Sequence, residues 1–321
     1  MKIVIPGGSG HLGRILATHF TQQDHEVVVL QRGAQPGPWR SVSWDGKSPG
    51  AWSEELEGAD VVINLAGRSV DCRYHARNRK QILDSRVAST RVLGQAISKA
   101  KLPPRIWLQM STATIYAHCF GQANDEESGI IGGNEPDTPD TWRFSLDVAR
   151  AWEAEATSWQ REGTRQVCLR TAMVMSSAQG GPFATLAALA LWYLGGQSGD
   201  GKQYMSWIHE ADFIRAIDWL IQHDDMLGPI NLAAPNPLPN SHFMGVLRNA
   251  LGVRHGLPAP AWLLEIGAFF MRTESELLLK SRKVVPGRLH ESGFSFNFPE
   301  WQQAALQLAK RFQSREAKKS A

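Results

Sequence analysis

Three observations in the sequence predict an α/β protein built on a doubly wound parallel sheet. Short β-rich runs alternate with longer helix-periodic stretches through the first half of the chain. A glycine-rich turn stands directly between the first of those runs and the first helical stretch. The second half is cut by Pro and Gly into shorter pieces, the mark of a smaller C-terminal lobe rather than of continued sheet.

Taken in order, residues 3–5 read as a strand, 12–22 as a helix, 27–30 as a second strand and 61–65 as a third. Residues 76–99 form a long helical pattern with a polar face, 106–110 an apolar strand, 142–161 a helix and 166–170 another strand. Parallel strands joined through helices require right-handed crossovers. Further on, 182–194 looks helical, 204–208 strand-like, and 212–222 helical with an apolar face. Pro and Gly punctuate 229–239 and 252–260, and helical patterns return at 261–271 and 300–312. No internal repeat or low-complexity segment interrupts this order. The expected division is a main domain of residues 1–172 plus 205–235, a smaller lobe of 173–204 plus 236–312, and a flexible tail, 313–321.

With 321 residues the chain can bury a large core, and its formal net charge of +3 gives no electrostatic footprint for nucleic acid or a membrane surface. The cysteines, Cys72, Cys119 and Cys168, are odd in number and lack CxxC spacing, so neither a disulfide framework nor a zinc site is expected. The most apolar stretch, 182–194, is too short to span a bilayer, and no signal-peptide pattern precedes residues 3–5. A reducing, cytoplasmic setting is the expectation.

Gly7-Gly8-Ser9-Gly10-His11-Leu12-Gly13 follows a strand and opens a helix. Glycines there allow a tight turn, bring backbone N–H groups up to a pyrophosphate, and let helix and strand pack closely, while the helix start offers its positive dipole end. The reading is a Rossmann-type dinucleotide site on Gly7, Ser9, Gly10, His11, Leu12 and Gly13. NAD-binding sites of this kind place a carboxylate at the end of the second strand; here Gln31 stands there and Arg32 follows. A 2′-phosphate is then not repelled, and Arg32 can pair with it, so NADP(H) is the expected cofactor and NAD(H) the second choice.

These residues resemble the extended short-chain dehydrogenase/reductase superfamily, which uses the spacing GxxGxxG. Asn64-Leu65-Ala66-Gly67 resembles its adenine-side loop, Ser111-Thr112-Ala113-Thr114-Ile115-Tyr116 the Ser/Thr segment of sugar-nucleotide epimerases, and Leu169-Arg170-Thr171 the strand near the nicotinamide. A narrower resemblance, over nearly the whole chain, is to the atypical "epimerase family protein" group of YfcH-like proteins. It rests on Ile63-Asn64-Leu65-Ala66-Gly67, Ser85-Arg86-Val87, Trp152-Glu153-Ala154-Glu155-Ala156, residues 201–209, Ala234-Pro235-Asn236-Pro237 and Val285-Pro286-Gly287-Arg288-Leu289. The resemblance places Leu65, Ala66, Gly67 and Val174 on the cofactor and Thr112 on the substrate oxygen.

The resemblance has one departure. Active members pair Ser or Thr with Tyr-x-x-x-Lys on the next helix. Here alignment on Glu153 puts Ser145 and Ala149 in those places, and a shift of one puts Phe144 and Val148 there. Neither register supplies an acid. Tyr116 is the nearest substitute donor, with His118 and Cys119 further along the same loop; packing under the loop is the bland alternative for Tyr116. Arg86 is a candidate for an anionic group of substrate or cofactor, and Lys202 and Tyr204, beside a glycine-rich loop, for the rim of a substrate cleft. Glu210 and Asp212 fit helix-terminal charges. Trp192, Trp207 and Trp262 could line an apolar pocket or simply pack in the core. No metal cluster stands out.

Three functions remain open: an NADP(H)-dependent oxidoreductase on a small carbonyl or hydroxyl substrate, a sugar-type epimerase or dehydratase, and a non-catalytic NADP(H)-binding regulator. A homodimer through the helices at 76–99 and 142–161 is compatible with all three.

Overall fold

The computed structural model describes residues 1–33, 37–135, 138–260 and 279–320. Its centre is a seven-stranded sheet of β1 (Lys2–Pro6), β2 (Glu26–Gln31), β3 (Arg40–Ser43), β4 (Val61–Asn64), β5 (Ile106–Thr112), β6 (Arg165–Thr171) and β10 (Gly228–Leu232). The order is β10-β6-β5-β4-β1-β2-β3, and every pairing is parallel. The order reverses between β1 and β4, which opens a crevice beyond their C-terminal ends, at Pro6 and Asn64.

The strands alternate their side chains between two helical layers. Ile3 and Ile5 of β1 join Leu16, Ala17 and Phe20 of α1 (His11–Gln22) and Phe213, Ile217 and Leu220 of α5 (Glu210–Gln222). Val4 faces the other way, with Val28, Leu30 and Val62, onto Val92, Leu93 and Ile97 of α2 (Ala76–Lys99). Helix α3 (Asp140–Thr157) packs alongside α2.

A second core lies beyond β6. It joins Phe183, Leu186 and Ala187 of α4 (Pro182–Leu191), Phe243, Met244 and Leu247 of α6 (Asn240–Ala250), and Trp301, Ala304, Ala305 and Leu308 of α8 (Trp301–Ser320). Trp301 stacks on Phe243 at 4.0 Å between ring centroids and donates from Nε1 to the Phe243 carbonyl at 2.9 Å. Helix α7 (Gly287–Glu291) contributes Leu289 to the sheet-side core.

Several elements differ from the sequence expectation. Residues 313–320 continue α8 instead of forming a flexible tail. They are Gln, Ser, Arg, Glu, Ala and Lys with no Gly or Pro, so nothing stops the helix. Helix α4 ends at Leu191, and the chain turns left-handed at Tyr193 before Gly195-Gly196. Residues 204–208 divide into β8 (Tyr204–Met205) and β9 (Trp207–His209), which serve different small sheets: β8 pairs antiparallel with β11 (Leu238–Pro239), and β9 pairs parallel with β7 (Met173–Met175). The helical pattern at 261–271, with Trp262, lies outside the described residues. Trp207 is fully buried in the second core and Trp192 is 78 % exposed, and neither is among the residues lining the cavity beside the glycine turn.

Candidate active site

The glycine turn is shaped by steric exclusion. Gly7 sits at φ +78°, where a Cβ would come within 2.8 Å of the Ala66 backbone. A Cβ on Gly13 would lie 2.4 Å from Gly8 Cα, so α1 can start this close to the turn only with glycine. Helix α1 begins at His11 with Gly10 as its N-cap; no side chain caps it and no acidic residue occupies its first turn. The first N–H groups of a helix have no partners within it, so this end is open to an anion.

The loop after β4 closes over the turn. Leu65 donates its backbone N–H to the Pro6 carbonyl at 2.9 Å, and Ala66 donates its own to Asn64 Oδ1 at 3.1 Å. Asn64, fully buried, in turn donates from Nδ2 to Gln109 Oε1 at 2.9 Å and to Thr90 Oγ1 at 3.3 Å. Arg32 is exposed one residue past the end of β2.

From the turn a cavity of about 320 Å³ runs toward the ends of β5 and β6. His11, Leu12, Leu65, Gly67, Arg86, Thr112 and Val174, all predicted as site residues, share its lining. Ser9, Gly10 and Ala66 belong to the adjoining turn and loop rather than to the cavity wall. Phe144, Ser145 and Val148 of α3 also line it, and Ala149 is buried behind them. Both registers considered from sequence therefore put the Tyr/Lys places at or beside this wall, and the residues there carry no acid.

Thr112 ends β5 opposite Thr171 of β6. Its Oγ1 accepts the Thr114 N–H at 3.2 Å, which leaves the hydroxyl hydrogen to donate to an incoming oxygen. Next to it, Ser111 donates to Glu153 Oε1 at 2.6 Å, and Arg170 holds both oxygens of Glu153 at 3.0 and 2.9 Å. Burial works to lower the Arg170 pKa, but the bonds and charge of Glu153 outweigh it and raise the guanidinium above its ordinary value.

Arg86 is held differently. Its Nη1 donates to the Arg68 and Ile82 carbonyls at 3.0 and 3.1 Å. Its guanidinium carbon lies 4.9 Å from the centre of the Trp152 ring, and Gly67 packs so close that a Cβ there would stand 3.3 Å from Arg86 Cζ. No carboxylate pairs with it among the described residues, and burial pushes its pKa down to about 10.

Tyr116, Lys202 and Tyr204, predicted as catalytic or substrate residues, do not line the cavity. Tyr116 is only 2 % exposed; its hydroxyl donates to Asn231 Oδ1 at 3.0 Å and accepts from Arg170 Nη1 at 3.0 Å. A one-turn 3₁₀ helix, Ala113–Ile115, carries it past Thr112 into a cluster with Ile115 and Ala149, and burial raises its phenol pKa. Lys202 is exposed in a turn capped by Asp200. Tyr204 is tied into the β8–β11 pairing with Lys283 Nζ 4.5 Å from its ring. His118 lies between Phe120 and Trp142 and accepts the Ser281 N–H; burial lowers its pKa. Cys119 donates to the Gln122 carbonyl. Arg282, Trp152 and Tyr74 line the cavity without having been predicted there. Trp152 had a local signal, its place one turn beyond Val148 on the same helix face; Arg282 arrives from 168 residues away from its partner Thr114 and had none.

The sheet order, the glycine turn at its switch point and the cavity beside Thr112 define a Rossmann protein of the extended short-chain dehydrogenase/reductase class. The chain belongs to the NAD dependent epimerase/dehydratase family, whose model matches residues 3–233. Residues 259–308 match a domain of unknown function (DUF1731). The Homo sapiens epimerase family protein SDR39U1 is 30 % identical over 94 % of this chain and 97 % of its own length. The epimerase family protein YfhF of Bacillus subtilis (strain 168) is 30 % identical over 96 % of this chain and 98 % of its own. The crystal structure of human SDR39U1 (isoform2) with NADPH superposes with a TM-score of 0.82 at 28 % identity, covering 97 % of this chain and 99 % of that one. The UDP-N-acetylglucosamine 4-epimerase of Bacillus cereus shares the fold, with a TM-score of 0.69 at 15 % identity over 98 % of this chain and 99 % of that one. Among the described residues no helix is long and apolar enough to cross a membrane, and no cluster of metal-ligating side chains occurs.

Proposed function

We propose that the protein is an NADP(H)-dependent oxidoreductase acting on a small carbonyl or hydroxyl substrate. One observation carries this reading: the uncapped start of α1 opens directly into a cavity that has a threonine hydroxyl free to donate at its inner end. The NADPH in the crystal structure of human SDR39U1 supports the choice of cofactor.

The residues fit that cofactor. The first turn of α1 would hold the pyrophosphate, the loop of Leu65, Ala66 and Gly67 would cover the adenine side, and exposed Arg32 would pair with the 2′-phosphate. Val174, buried on β7, gives the nicotinamide an apolar surface. When bound, NADPH supplies a hydride to the carbonyl carbon, and the carbonyl π electrons pass to its oxygen. Thr112 donates a hydrogen bond to that oxygen and stabilises the charge developing there. An aliphatic alcohol is too weak an acid to supply the proton itself at neutral pH, so Thr112 would hold the developing alkoxide by its hydrogen bond while an acid of the medium, such as a buffer acid, protonates it.

The residues at the Tyr and Lys places, Ser145 and Ala149 or Phe144 and Val148, carry neither acid nor base, and they favour a second reading, a non-catalytic NADP(H) binder. They weigh against the sugar epimerase or dehydratase reading, which needs a competent base. The first experiment is titration of the protein with NADPH and NADH, followed by tryptophan fluorescence. Tighter NADPH binding, weakened by Arg32→Asp while NADH binding is unchanged, supports the cofactor assignment; equal or tighter NADH binding removes it. NADPH oxidation across a carbonyl panel, lost in Thr112→Ala with cofactor affinity kept, supports the oxidoreductase. Binding with no oxidation leaves the regulator.

A further inference from the structure

The charged lining of the cavity is all of one sign. Among the described residues it contains Arg86 and Arg282, with His11 beside the glycine turn, and neither aspartate nor glutamate. Arg282 is already engaged, its Nε donating to Thr114 Oγ1 at 3.1 Å. Arg86 keeps donors in hand. Both hydrogens of its Nη1 are used on the Arg68 and Ile82 carbonyls, so the edge carrying Nε–H and Nη2–H remains. That edge presents two parallel N–H groups, the geometry that a planar carboxylate accepts bidentately. Gly67 and the Trp152 ring pack against the guanidinium and two carbonyls hold its Nη1, so the side chain is already restrained before a ligand arrives.

A half-buried cation without a counter-charge carries a desolvation cost that an incoming anion offsets. The surrounding wall, from Val70, Tyr74, Ile82, Phe144 and Val148, is hydrocarbon and aromatic. We propose that this site takes a small monocarboxylate with an apolar or aromatic body, its carboxylate paired with the Nε/Nη2 edge of Arg86 and its body against the wall from α2 and α3. The proposal rests on the oxidoreductase reading only for where the reacting carbon would lie; recognition of the carboxylate is independent of it.

The test compares 3-phenylpropanoate with 3-phenylpropanamide, its neutral near-isostere, by isothermal titration calorimetry on the intact protein with and without saturating NADPH. The carboxylate should bind about 10-fold or more tightly than the amide, and Arg86→Gln should abolish that preference. Arg86→Lys, which keeps the charge but loses the fork, should fall between the two. Circular dichroism establishes that each variant is folded, and if Arg86→Gln is not, Arg86→Lys carries the test. Equal binding of acid and amide by the wild type, binding of neither, or an undiminished preference in the folded variants overturns the proposal. A loss of NADPH affinity in Arg86→Gln as large as the loss of carboxylate affinity also overturns it, because the arginine then serves the cofactor. Failure of the wild type to bind NADPH while carboxylate selectivity persists defeats the oxidoreductase reading and leaves this one standing.

Discussion

Replacing Glu153 with alanine should destabilise the protein by roughly 3 kcal/mol, for reasons visible in the geometry. Glu153 and Arg170 expose only 15 % and 11 % of their side chains, and the pair is joined by two hydrogen bonds of 2.9–3.0 Å. Removing one partner of a buried pair typically costs about 3–5 kcal/mol, because it strands the other charge. Ser111 also loses its acceptor, a further ~1 kcal/mol. The partial exposure lets water reach the stranded guanidinium, and Tyr116 still accepts from it at 3.0 Å, so the cost falls below that sum, at roughly 3 kcal/mol. Urea unfolding followed by tryptophan fluorescence measures the change; with a slope of about 3 kcal/mol/M, the midpoint should drop by roughly 1 M. The double variant Glu153→Ala/Arg170→Met should recover part of the loss, because no charge is left stranded, with a coupling of about 1–3 kcal/mol. A cost under about 1 kcal/mol for Glu153→Ala, or strict additivity of the two substitutions, would refute the stranded-charge reasoning.

Tyr116→Phe removes the hydroxyl that bridges Arg170 and Asn231 and should cost about 1–2 kcal/mol in urea unfolding. Any NADPH-coupled turnover of the wild type should survive it, since that hydroxyl does not reach the cavity; a folded variant with no turnover would restore Tyr116 as the acid. Stability should also fall as pH drops below about 6.5. Burial holds His11, His118 and His209 below that ordinary value, so the unfolded chain binds their protons first and the native state loses ground as pH falls. Their contribution is complete above 6.5. Urea midpoints from pH 8 down to 5.5 check this, and a flat or rising profile would contradict it; His118→Gln should flatten the decline.

What the sequence made legible was local. The glycine turn could be read because its reason is local: a positive φ at Gly7 and no room for a Cβ at Gly13 are demands that only glycine meets. The strands that could be read are apolar runs buried on both faces, such as β4 over Val61–Asn64; the exposed edge strand β3 (Arg40–Ser43) and the Gly-Pro-led β10 gave no such signal. Contacts that span the chain were not legible. Arg282 reaches Thr114 across 168 residues, and Tyr116 finds Asn231 across 115, with no pattern in either segment to announce the partner. Tyr116 also shows how nearness in sequence misleads. It follows Thr112 by four residues, yet the 3₁₀ turn between them sends the two side chains to different surroundings, one to the cavity and one to a buried cluster.

The same comparison explains why Glu153 and Arg86 differ in kind. Both are charged, both lie on helices beside the sheet ends, and both sit in the matched segments. Glu153 is spent internally: its oxygens accept from Ser111 and Arg170, and the network it anchors fixes the strand ends that carry Thr112 and Thr171. Arg86 is oriented as rigidly, by two carbonyls, a glycine and an indole, but none of these neutralises it. Arg170 has a carboxylate beside it, whereas Arg86, on the cavity wall, has none among the described residues. The proposed pairing of Arg86 with an incoming carboxylate rests on that contrast. On that proposal the polar network would support the geometry of the reacting end, while Arg86, with Arg282 on the same wall, would set which ligands can occupy it.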